Sequence, residues 1–223
     1  MLTSIGTLFR DMVSFQLCLQ ARDFPDWVLG FTEDAVATYE AGMAYASSCA
    51  WIYAERGREQ DARAMLDRVA ADDFAGLSWD ANWISALGEL AEATALLGDR
   101  ERAARLYDRL LPYADRRLVA ARAVYDQCSA HYALARYATT LGRGDEAVAH
   151  FEAALASDMA LGARPALIQT RARYAELLAA RGEAERAAEL ATAAVADARA
   201  LGIPDAVPPA AVALAVGPRG VMT

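Results

Sequence analysis

One spacing recurs four times along this chain: alanine, six residues, glycine, four residues, alanine. It falls at Ala50–Gly57–Ala62, Ala91–Gly98–Ala103, Ala135–Gly142–Ala147 and Ala175–Gly182–Ala187. Successive glycines stand 41, 44 and 40 residues apart. A period in that range belongs to stacked supersecondary units and not to one globular core. No single unit can bury its apolar face, so neighbours must stack.

Each unit reads as a helical hairpin. In the second, Ala81 to Leu97 carries Trp83, Ile84, Leu87, Leu90, Ala91, Thr94 and Leu97 at helical spacing. Gly98 stands where a C-terminal cap needs positive φ. Asp99 then opens the next helix as its N-cap. That helix aligns Ala103, Leu106, Tyr107, Leu110 and Leu111 and stops at Pro112. The other second helices are expected over Gln60–Val69, Asp145–Met159 and Glu185–Arg199. The paired alanines let the helices of a hairpin approach closely. Four residues after the second alanine come Leu66, Tyr107, Phe151 and Ala191, and one turn on Val69, Leu110, Ala154 and Ala194.

This small–Gly–Ala–aromatic–Ala series resembles the consensus of the tetratricopeptide-like repeats. The standard unit is about 34 residues long; the longer period here implies longer helices. Long units rich in Ala and Arg resemble the C-terminal superhelical region of large bacterial regulators. Those regulators join a signal-transduction ATPase to a LuxR-type DNA-binding domain or a nucleotide cyclase domain. The resemblance spans about Phe9 to Gly202. It rests on Asp73-Phe74-Ala75, Asp80-Ala81-Asn82-Trp83, Leu110-Leu111-Pro112-Tyr113-Ala114, His150-Phe151-Glu152-Ala153-Ala154-Leu155 and Leu161-Gly162-Ala163-Arg164-Pro165.

The resemblance implies an all-α fold, a right-handed superhelical array of antiparallel helix hairpins. Residues 1–40 are expected to form a degenerate first hairpin, with its second helix from Trp27 to about Tyr39. Four full hairpins follow over 41–201, at about 41–71, 79–116, 118–161 and 164–201. Residues 202–223, dense in Pro and Gly, are expected to be a disordered tail. The ATPase of such a regulator needs a G-x-x-x-x-G-K-[ST] loop, which the sequence lacks, and no helix-turn-helix follows the last repeat. The catalytic and DNA-reading residues of those regulators therefore do not carry over.

Composition narrows the partners. The net charge of −8 argues against direct nucleic-acid binding, which relies on neutralising phosphates. Every cation is Arg; there is no Lys. No run reaches the ~18 apolar residues of a membrane span. Met1 to Gln20 lacks a basic n-region, which speaks against a secretory signal, so the expected location is the cytoplasm. Cys18, Cys49 and Cys128 have no metal or disulfide spacing and read as small buried groups.

The search for chemistry returns little. His131 and His150 are the only histidines, and neither has the helical partner of a zinc site. Asp72, Asp73, Asp80 and Asn82 read as helix-end residues. No serine sits in a G-x-S-x-G elbow, and there is no dinucleotide-binding glycine fingerprint. No catalytic residue, cofactor or metal is expected.

In tetratricopeptide-like stacks the first helix of each hairpin lines the concave face. The resemblance therefore implies a groove of Ser48, Trp51, Glu55, Glu89, Glu92, Ser129, Tyr132, Arg136, Gln169, Arg173 and Glu176. Trp51 and Tyr132 are its candidate aromatic anchors, and Arg136 and Arg173 its carboxylate binders. The family's carboxylate clamp uses Lys, Asn and Arg, and this face has no Lys and has Glu89, Glu92 and Glu176 among its residues. The alternative for the whole face is solvated helix surface. The function expected is a non-enzymatic regulatory or sensor module that binds a protein, a peptide or a small effector. A stand-alone adaptor scaffold and an all-helical enzyme are the alternatives.

Overall fold

The computed structural model describes residues 26–38, 42–77, 79–80, 82–120 and 125–217. They are mostly helical. The helices are α1 (Asp26–Thr38), α2 (Gly42–Glu55), α3 (Glu59–Phe74), α4 (Trp83–Leu97), α5 (Arg100–Leu110), α6 (Ala130–Leu141), α7 (Gly144–Leu161), α8 (Arg164–Ala180), α9 (Ala184–Leu201) and α10 (Pro209–Val216). One two-stranded antiparallel sheet, β1 (Arg117–Ala120) and β2 (Tyr125–Ser129), separates α5 from α6. The helix expected from Trp27 to Tyr39 is α1; the segment before it lies outside the described residues.

The repeat positions do what their sizes require. Gly57, Gly98, Gly142 and Gly182 all take left-handed backbone, one after each of α2, α4, α6 and α8. At Gly142 (φ 76°) the Arg143 amide donates to the Ala138 carbonyl at 2.9 Å and closes the end of α6. The repeat alanines Ala50, Ala91, Ala135, Ala175, Ala62, Ala103, Ala147 and Ala187 are all fully buried. So are Leu66, Phe151, Val69, Leu110 and Ala154, with Tyr107 nearly so. Asp99 caps α5 by accepting from the Arg102 amide at 3.1 Å.

Packing follows the chain. Each first helix packs on its second, α2 on α3, α4 on α5, α6 on α7 and α8 on α9. First helices also pack on one another, α2 on α4 and α4 on α6, while α5 meets α6 and α7 meets α8. The rings of Tyr132, Phe151 and Tyr174 continue one another across α6, α7 and α8, with the last two stacked at 5.2 Å.

Two expectations need correction. The third hairpin does not begin at 118: residues 117–120 and 125–129 are strands, and α6 starts only at Ala130. Leu118 and Cys128 pair across the sheet and are buried against the helices. Leu118 and Gln127 are seated against Gly88 in mid-α4, where an added Cβ would lie 2.7 Å from Leu118 Cδ1 and 2.8 Å from Gln127 Oε1. A glycine inside a helix marks this close approach.

The tail, likewise, is ordered as far as 217. Pro204 and Pro209 each sit at the start of a helical turn, where the fixed φ favours a helix and the missing N–H costs nothing. Ala206, Val207 and Ala211 then cover Ile168, Ala172, Ala194 and Ala198 in a second small core. Residues beyond 217 lie outside the described ones.

Candidate functional site

The expected groove residues are not a solvated face. Ser48, Trp51, Glu89, Glu92, Ser129, Tyr132, Arg136, Gln169 and Arg173 are all buried, and Glu55 and Glu176 are partly so. Four helices deliver all of them but Ser129, because α2, α4, α6 and α8 turn the same side inward at each repeat.

Glu92 of α4 is the hub. It accepts from Tyr132 Oη at 2.5 Å and Arg136 Nε at 2.8 Å, both on α6, and from Arg173 Nη2 on α8 at 3.1 Å. Arg173 lies 81 residues from Glu92 in sequence. It also donates to Glu176 at 3.1 Å and stands 3.6 Å from Glu55 at the end of α2. Trp51 Nε1 donates to Glu55 at 3.2 Å. One connected set of side chains therefore joins α2, α4, α6 and α8. Burial works against the Arg173 charge, but Glu92, then Tyr132 and Glu176, outweigh it and hold the guanidinium firmly ionised.

Glu89 sits one turn from the hub in a different setting. Its carboxyl accepts from Ser48 Oγ at 2.8 Å. Burial pushes it up from 4.5 to about 8 against the pull of that hydroxyl. At neutral pH it is a mostly uncharged acid.

One of the expected residues stands apart from this set. Ser129 is not on a groove-lining helix: it ends β2 and caps α6, accepting from the His131 amide at 3.2 Å. The misplacement follows from the unexpected hairpin. Gln169 is buried on α8.

Sequence reasoning missed a second polar cluster. Arg117 of β1 donates to Asp158 of α7 at 2.5 Å and holds Asp126 of β2 through two bonds at 2.9 and 2.6 Å. Thr170 of α8 donates to Asp158 at 2.8 Å. Asp158 is fully buried; burial raises its pKa above the ordinary carboxylate value, and Arg117 and Thr170 pull it back. This cluster pins the sheet to α7 and α8. An acid on the apolar side of α7, in its last turn, is the one sequence signal for it.

The histidines also meet, His131 Nδ1 to His150 Nδ1 at 2.9 Å. They lie 11 residues before and 8 after Gly142, and near-equal distances from a hairpin turn bring side chains level. Cys49 and Cys128 are free, buried thiols; burial pushes Cys49 up to about 11 and Cys128 well above its ordinary value. Among the described residues no three His, Cys, Asp or Glu side chains are placed to hold a metal ion, and no helix is long and apolar enough to cross a membrane.

Compared with protein-family models, curated proteins and solved structures, the chain matches none. What the site can do chemically rests on its own geometry. It offers two guanidinium groups already engaged by an internal carboxylate, beside a neutral acid.

Proposed function

We propose that this chain is a non-enzymatic regulatory module, an α-solenoid whose helix hairpins form a right-handed superhelical array. One observation carries the reading: Glu92, Arg136, Arg173 and Glu55 tie the first helices of all four units together. The curvature of such an array is set where those helices meet. An effector or partner whose carboxylate draws Arg136 or Arg173 away from Glu92 changes the angle between units. A linked or bound ATPase, cyclase or DNA-binding module reads that change.

The repeat's resemblance to the superhelical region of bacterial transcription regulators and signalling ATPases supports placing it in such a system, in the cytoplasm. The acidic charge balance supports a protein, peptide or small-molecule partner over direct contact with nucleic acid.

The test is the native mass of the protein in its own cell, read with an antibody to residues 80–182 after cross-linking. A species well above the chain's 23.9 kDa, whether covalent or complexed, is expected. A free 23.9 kDa chain with no cross-linked partner would overturn the regulatory reading. Solution scattering tests the array separately: an elongated, curved particle is expected, and a compact sphere would overturn the solenoid.

A further inference from the structure

The two imidazoles belong to a longer series. Asp115 Oδ1 stands 3.7 Å from His131 Nε2. His131 Nδ1 meets His150 Nδ1 at 2.9 Å, and His150 Nε2 meets Tyr107 Oη at 3.1 Å. Tyr107 Oη donates to Glu146 Oε2 at 3.2 Å. The series starts in the turn before β1 and crosses α6, α7 and α5.

The direction of the central contact decides what it can hold. The ring centres are 5.2 Å apart, which is the nitrogen contact plus one ring radius at each end. The two Nδ1 atoms therefore face each other along one line. Imidazoles that chelate a metal aim their lone pairs at a third point; these aim at each other, as in a shared N–H···N bond.

The network assigns the tautomers. Tyr107 gives its one proton to Glu146, so its oxygen accepts from His150 Nε2–H. His150 Nδ1 is then bare, and His131 Nδ1–H donates to it. His131 keeps a bare Nε2 beside Asp115. A first added proton binds there, pairs with Asp115 and leaves the contact intact. A second proton has only His150 Nδ1 to occupy. It would set two N–H groups head to head, and the contact must open.

We propose that Asp115, His131, His150, Tyr107 and Glu146 form a protonation latch at the junction of α5, α6 and α7, closed by zero or one added proton and opened by the second. The latch goes beyond the regulatory reading and stands whether or not the array binds anything. Burial, and then the His131 charge, lower His150 below its ordinary 6.5, with Glu146 opposing them. A lowered folded value means that the contact is fully present above 6.5 and is lost as pH falls through the folded value.

The other charges nearby fit this direction. Arg143 lies over the Tyr107 ring at 5.3 Å and 3.5 Å from Glu146. Asp108 follows Tyr107 on α5. Arg136, the other charge on α6, faces Glu92. The remaining α7 acids, Asp145, Glu152 and Asp158, are held by Arg181, Arg186 and Arg117.

With only two histidines, proton NMR of the ring signals in the full chain reads the latch directly between pH 8 and 4.5. A coupled, two-step titration is expected, with one step below 6.5. Amide exchange in α6 and α7, corrected for intrinsic rates, should lose about tenfold protection per pH unit below 6.5. His150→Gln should abolish that acid opening, and His131→Gln should return His150 toward its ordinary value. Two independent titrations near 6.5 in the wild type, or unchanged acid opening in His150→Gln, would overturn the latch. The wild-type titration decides the coupling even where a variant fails to fold.

Discussion

Replacing Glu92 by Ala is the sharpest test of the inner cluster. Glu92 is 3% exposed and accepts from three donors. Arg173 keeps Glu176 and Glu55 when Glu92 is removed. Arg136 does not fare so well: it is 7% exposed, and Glu92 is its only ion-pair partner among the described residues. Removing one partner of a buried pair strands the other charge and costs about 3–5 kcal/mol. Against a total stability of about 5–15 kcal/mol, that loss is about a fifth or more.

Urea unfolding followed by far-UV circular dichroism measures it, with an unchanged slope as the check that only stability moved. Arg63→Ala is the internal comparison. Its partner Glu59 is four residues away and both side chains are largely exposed, so the loss should stay below about 1 kcal/mol. The double replacement Glu92→Met with Arg136→Met removes both charges and should recover most of the stability, since a buried pair is often no better than an apolar one. A loss for Glu92→Ala as small as that of Arg63→Ala would mean that the cluster is hydrated. The four first helices would then not be tied.

Three further outcomes follow from the buried groups and turns. Glu89 is raised from 4.5 to about 8, so the folded chain keeps a proton that the unfolded chain releases across that window. Stability should therefore fall as pH rises through it, by up to about 1.4 kcal/mol per unit. Glu89→Gln should flatten that slope, and urea midpoints at pH 6 and 8.5 that run parallel in both proteins would refute it. Arg117→Ala strands the fully buried Asp158 and should cost about 3–5 kcal/mol. It should also free the sheet enough for a thiol reagent to reach Cys128, which is buried in the wild type; equal labelling rates would refute the pinning role. Gly142→Ala places a Cβ on left-handed backbone and should lower stability by about 1–2 kcal/mol, read by the same unfolding assay.

What the sequence discloses and what it conceals divide along a physical line. The repeat glycines and alanines are legible because their demands are local: positive φ after a helix, and no bulk where two helices touch. The sheet at 117–129 is not. Val119 and Tyr125 favour strands, but Ala120 to Ala123 read as helix. The contact that decides, Leu118 and Gln127 against Gly88, joins segments about thirty residues or more apart. The last prolines mislead because the same residue breaks a helix in its interior and starts one at its first turn.

The inner cluster shows the same division at the level of chemistry. Register places Arg136 and Arg173 on one side of their helices, and their guanidinium forks suit a carboxylate. That much follows from residue type and from the register that the resemblance implies. Nothing in the spacing says that Glu92, 44 residues from the first and 81 from the second, supplies the carboxylate itself. An external acid must therefore compete with an internal one already bound at 2.8 and 3.1 Å. Its net affinity is the difference between the two engagements. Binding that displaces Glu92 also releases Tyr132 and so loosens the contact between α4 and α6. Under the regulatory function proposed above, occupancy and curvature are then one equilibrium.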